Sequence, residues 1–195
     1  MTLETTLRRF SLLLSRIGGG MLLATALLVS AEVLLRKSRI VVFSFGTELS
    51  TYALAVGASW AFAHVVFERA HVRVDVVSQR LPNRPRACFD IVAVASLALV
   101  GLVLTFGAWG TFASSLSYGT TSNTTLATPL MIPQGMWLFG IAWFTFIAIY
   151  RTMGASLAFV RHDLAEVSRI AAPPSAEDKA TEVASGARSR AETQS

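Results

Sequence analysis

Apolar runs and short groups of charge alternate along the chain, and the contrast sharpens toward its centre. Residues 91–150 contain no Asp, Glu, Lys, Arg or His. Before them, charged positions come in small groups separated by runs of Leu, Val, Ala, Ile and Phe. A helix needs about 20 mostly apolar residues to cross a hydrocarbon core roughly 30 Å thick. Four segments have that character: residues 17–35, 49–67, 89–111 and 133–153. The first holds Glu32 near its end and the second holds His64. Only helices and closed barrels satisfy their backbone in lipid, and apolar runs of this length are helical. The pattern predicts an all-α integral membrane protein with four transmembrane helices.

The flanks read differently. Leu3, Leu7, Phe10 and Leu14 recur at helical spacing, with Arg8 and Arg9 between them. Residues 1–16 are therefore predicted as a short amphipathic helix lying along the membrane interface. Arg8, Arg9 and the sequence Val29-Ser30-Ala31 also suit a signal peptide, but the length of the apolar stretch and Arg16 within it favour an anchor. The membrane domain is predicted over residues 17–170. Pro173 and Pro174 end the last helix or its extension. Residues 171–195, mostly Ala, Ser, Thr and Glu with scattered Arg, are predicted to be a disordered tail.

Composition narrows the class. Of 195 residues, 53% are hydrophobic and 15% charged, against roughly 45–50% and about 25% in soluble domains. A soluble enzyme, a secreted disulfide scaffold and a disordered regulator are excluded. Cys88 is the only cysteine, so no internal disulfide forms. The net charge of +5 suggests orientation in a membrane and not a nucleic-acid partner, because the arginines flank apolar segments. Arg8, Arg9 and Arg16 precede the first span. Arg69, Arg73, Arg80, Arg84 and Arg86 join the second to the third, and the C-terminal side begins with Arg151, Arg161 and Arg169. Residues 112–132 hold no basic residue. The bias places both termini and the middle connection in the cytoplasm. Arg36, Lys37 and Arg39 on the other face are an exception, and are candidates for docking a partner.

Candidate chemistry is sparse. His64, Glu68, His71 and Asp75 share a helix face if the second helix continues past Phe67. Glu68 and His71 match a Glu-x-x-His half-site, but the other segments supply no second half, so no metal or cofactor is expected. There is no Gly-x-Ser-x-Gly, and Ser114, Ser115 and Ser117 have no histidine near the same surface. No enzymatic activity is expected. Glu32 and Glu48 lie near the outer boundary, within reach of water and of Arg36, Lys37 or Arg39; the sharper reading is a partner contact or a coupling-ion site. Asp90 is placed at the start of the third helix, where the helix dipole favours an acid. Ala53, Gly57 and Ala61 form one small-residue ridge, and Gly107, Gly110 and Ser114 another. No internal repeat is visible, which weighs against a self-contained carrier.

Several stretches together resemble a known family. They are Thr47-Glu48-Leu49-Ser50-Thr51-Tyr52, Ala58-Ser59-Trp60-Ala61-Phe62, and His71-Val72-Arg73-Val74-Asp75 ahead of Leu81-Pro82. Thr128-Pro129-Leu130-Met131-Ile132-Pro133 follows. Over residues 18–153 the chain resembles the DctQ-like small permease subunit of tripartite ATP-independent periplasmic (TRAP) transporters. It departs from that pattern at Ala63-His64-Val65-Val66-Phe67, where the family has smaller residues. The resemblance implies a multi-pass protein of a bacterial inner membrane. Its partners would be a DctM-like large permease, which carries the transport sites, and a DctP-like periplasmic solute-binding protein. Transport would be driven by an ion gradient, with an organic acid such as a dicarboxylate as cargo. Glu48, Trp60, His71, Arg73 and Asp75 are the matching positions. Trp60 is assigned to helix packing, and His71, Arg73 and Asp75 to ordering the cytoplasmic turn. The competing readings are a free-standing four-helix exporter, working as a homo-oligomer through Glu32, and a membrane redox or metal protein.

Overall fold

The computed structural model describes residues 3–37, 45–68, 82–124 and 126–171. His71, Arg73, Asp75, Arg39 and residues 172–195 of the tail lie outside the described residues, while Ala171, expected to open the tail, is buried at the end of a helix. Five helices account for nearly all of the rest: α1 Leu3–Lys37, α2 Gly46–Phe67, α3 Asn83–Tyr118, α4 Met131–Val160 and α5 Leu164–Ala171. Among the described residues there is no strand, only an isolated antiparallel bridge between Thr121 and Pro129. Helices α1 to α4 are each long and apolar enough to cross a membrane.

Local chemistry sets the helix ends. Pro82 precedes α3 and Pro85 sits in its first turn, where a missing N–H costs nothing. Helix α3 stops at Gly119, whose φ of 59° is left-handed. Pro133 lies in the first turn of α4. His162, at φ 60°, reverses the chain between α4 and α5.

Two boundaries differ from the sequence expectation. From Leu3 onward the amphipathic stretch is not a separate helix: it is continuous with the first span in the 35-residue α1, about 52 Å long. The cause is packing. Ser11 and Leu14 are buried, Trp143 Nε1 of α4 donates to Ser11 Oγ at 3.0 Å, and Leu7 packs on the core. One face of this stretch is thus occupied by other helices. Helix α3 also starts before residue 89, so Asp90 lies in its second turn and is buried. A dipole effect confined to the first turn does not account for it.

The spans form a row. Helix α1 packs on α2, α2 on α4 and α4 on α3, while α5 folds back against α3 and α4. Ala63, Val66, Phe67, Phe144 and Ile147 make the central core between α2 and α4. Ala87, Ala158 and Val167 make a second core, and Val94, Ala155 and Ala171 a third, both beneath α5. Apolar burial gives little drive between helices in lipid, so close approach and hydrogen bonds matter more. A Cβ on Gly18 of α1 would lie 2.8 Å from the backbone oxygen of Gly57 of α2. The two glycines therefore set that crossing. Thr105 and Thr145 share a hydrogen bond of 2.9 Å between α3 and α4.

Candidate functional site

The row has two polar ends. The loop end holds the C-terminus of α1, the start of α2 and the α3–α4 connection. The terminal end holds the start of α1 together with α5.

At the loop end, two carboxylates brace the backbone. Glu32 accepts the Gly46 N–H at 2.6 Å on Oε2 and Arg36 Nη2 at 2.6 Å on Oε1. It therefore caps the start of α2. Glu48 is only 8% exposed. Tyr52 Oη donates to its Oε1 at 2.7 Å, and Thr124 Oγ1 donates to its Oε2. Sequence reasoning expected Glu48 to be hydrated or paired with a cation; its partners here are hydroxyls. Thr124 belongs to a folded turn in which the Ser122 N–H meets Thr128 O at 2.8 Å and the Leu130 N–H meets Thr120 O at 3.0 Å. Hydroxyl bonds to a carboxylate are charge-assisted and strong. Glu48 thus latches the α3–α4 connection to α2. Arg36 and Lys37 lie in the last turn of α1, where positive charge suits the helix dipole.

Trp60 joins the central pair: its Nε1 donates to Met136 O at 3.0 Å, and its ring meets Phe139 edge-on at 6.3 Å. Gly140 makes room for this, since a Cβ there would strike Ser59 and Trp60.

At the terminal end, Arg151 of α4 is 6% exposed. Its Nη2 donates to Ile170 O at 2.6 Å and its Nη1 to Glu4 Oε1 at 3.3 Å, while the guanidinium lies 5.5 Å from the Phe67 ring centre. One side chain thereby ties α1, α2, α4 and α5. Arg169 holds Glu166 through two hydrogen bonds of 2.7 and 2.5 Å. That bonding keeps the Glu166 carboxyl below its ordinary range and pushes the Arg169 guanidinium up. Arg8 pairs with Glu68, the residue capping α2, at 2.9 Å. His64 Nδ1 is buried with no hydrogen-bond partner among the described residues.

Arg151 is the residue sequence reasoning passed over as an organiser. Its signal was available: it is the first charge after residues 91–150. Thr124 had no such signal, being an ordinary threonine in a Thr-rich connection.

These features define a small multi-pass membrane protein whose polar side chains brace one helix against another. Residues 25–157 match the family described as Tripartite ATP-independent periplasmic transporters, DctQ component. The chain belongs to that family and is a small TRAP transporter subunit, in a family of transporter components and not of enzymes. No curated protein and no solved structure matches it.

Proposed function

We propose that this subunit scaffolds a DctM-like large permease and helps dock a DctP-like periplasmic solute-binding protein. The cargo is an organic acid such as a dicarboxylate, moved by an ion gradient across a bacterial inner membrane. In this reading the terminal end faces the cytoplasm and the loop end the periplasm, in keeping with the distribution of arginines.

The row of helices carries the scaffold reading. Helix α3 meets α4 on one side and leaves a long apolar flank, with Phe106 83% exposed and Val103 and Trp109 beside it. A Cβ on Gly107 or Gly110 would touch nothing within 4 Å, so this flank also has a small-residue surface suited to close helix approach. Glu32, the residue on which an exporter reading depends, is already engaged by Gly46 and Arg36.

Two experiments test the reading. The tagged chain is recovered from its native membrane in mild detergent and its companions are identified by mass spectrometry. A larger multi-span permease in near-equal amount supports the scaffold. Recovery only as a homodimer or tetramer overturns it. Replacing Arg36, Lys37 and Arg39 together by Ser should lower uptake at limiting binding protein, with the membrane level of the subunit unchanged. Uptake unchanged by the substitution at both limiting and saturating binding protein removes the docking role.

A further inference from the structure

We propose that the terminal end holds a binding site for a phosphate ester carrying a primary ammonium, the chemistry of a phosphoethanolamine lipid headgroup. This inference needs only that the chain spans a membrane, and is independent of the partner it serves.

A cavity of about 400 Å³ lies between the last turns of α4, helix α5 and the first turn of α1. Its lining contains three arginines, Arg151, Arg161 and Arg169, and three acids, Glu4, Asp163 and Glu166. A wall of one sign would suit a plain anion or cation. A balanced wall disfavours both and suits a ligand with both charges.

The internal pairing shows which groups remain for a ligand. Arg151 is occupied by Glu4 and Ile170 O, and Arg169 by Glu166. Among the described residues, the Arg161 guanidinium and the Tyr150 hydroxyl have no partner, and both line the cavity. Arg161, two positions from Asp163, is the donor free for a phosphate. Asp163 uses Oδ1 to cap α5 through the Glu166 N–H at 3.0 Å, leaving Oδ2 to accept from an ammonium. Leu157, Ala158 and Ile170 supply apolar wall beside these groups.

Arg151 is the first charge beyond the apolar part of α4, so the cavity begins near the edge of the hydrocarbon.

The test uses the full chain in detergent micelles supplied with one lipid at a time. Native mass spectrometry reads lipid retention, and thermal melting reads stabilisation. Phosphatidylethanolamine should be retained about tenfold better than phosphatidylglycerol, which lacks the ammonium, or phosphatidylcholine, whose methylated ammonium donates no hydrogen bond. Soluble phosphoethanolamine is the second arm. Stabilisation by it at equal concentration supports the site but assigns a soluble source; none assigns the lipid. Arg161→Gln with Tyr150→Phe should lower retention of all three lipids without lowering the lipid-free melting temperature, since neither side chain braces a helix. Asp163→Asn, which keeps a capping oxygen, should remove discrimination between phosphatidylethanolamine and phosphatidylglycerol. Equal retention of the three lipids by the unmodified chain, unchanged retention in the Arg161 and Tyr150 variant, or an unchanged preference in Asp163→Asn overturns the proposal.

Discussion

A single buried carboxylate shows how much of the loop end rests on one residue. Glu48 is held by two hydroxyls, one from its own helix and one 76 residues away. Glu48→Leu removes the acceptor for both and should cost about 1.5–3 kcal/mol, the range for hydrogen bonds to charged groups. The check is chymotrypsin cleavage beside Tyr118 and Leu126, which should be faster in the variant; equal rates would show that the latch is not what holds the turn. Glu48 was conspicuous in the sequence as an acid at the edge of an apolar run. Its partner was not, because nothing about Thr124 distinguishes it from its neighbours until the connection folds. Trp60 was legible in the same limited way: its size marked it as an anchor, whereas the Met136 carbonyl it meets depends on how α2 and α4 cross. Residue types announce a need for partners, and only the fold supplies them.

Among the elements, α1 tests the packing argument most directly. Three glycines stand in succession, but only Gly18 faces α2. Gly18→Ala places a methyl against the Gly57 backbone, which cannot rotate away, and should destabilise by about 1–3 kcal/mol. Gly19→Ala and Gly20→Ala meet open space and should leave the melting temperature in detergent unchanged or slightly raised. Equal losses at all three positions would contradict the crossing. The spans were legible because apolar length is a strong pattern. The continuity of α1 was not, since Leu3, Leu7, Phe10 and Leu14 produce the same periodicity whether the apolar face meets lipid or another helix.

Helix α5 offers a titration at the same scale. Its Glu166 has a lowered pKa in the folded state because Arg169 bonds the ionised form. Its contribution is therefore complete above the ordinary value of 4.5 and is lost as pH falls from there through the folded value. The loss is small, about 0.3–0.5 kcal/mol for an exposed pair one turn apart. A spin label at Ser168→Cys, in a Cys88→Ser background, should report unchanged mobility from neutral pH down to about 5 and a modest rise below it. The same profile in Glu166→Gln would assign the change to another group.

For the molecule as a whole, the order of the row decides what remains available to a partner. With α2 and α4 inside, the flanks of α1 and α3 stay open. Phe106→Lys on α3 touches none of the internal contacts and should leave the chain folded, while sharply reducing recovery of the large permease in the pull-down. Undiminished recovery would move the contact to another face. Four spans and the family were visible in the sequence. The row order was not, because it is settled by which ridges approach closely, and several stretches of small residues compete for that role.

Arg151 also has a consequence for synthesis. The chain emerges from its N-terminus, so Glu4 is made before Arg151 and the Ile170 carbonyl after it. Until α5 exists, the arginine lacks its shortest hydrogen bond while its helix is already in place. A ribosome that stops before residue 170 leaves the buried guanidinium without its Ile170 acceptor at the edge of the membrane, while the Glu4 ion pair stays available, and a buried donor left unmet is costly. Completion of the chain is thereby coupled to closure of the helix ends. A product ending at Asp163 should be cleared faster than the full chain in a pulse-chase experiment, and Arg151→Met should narrow that difference.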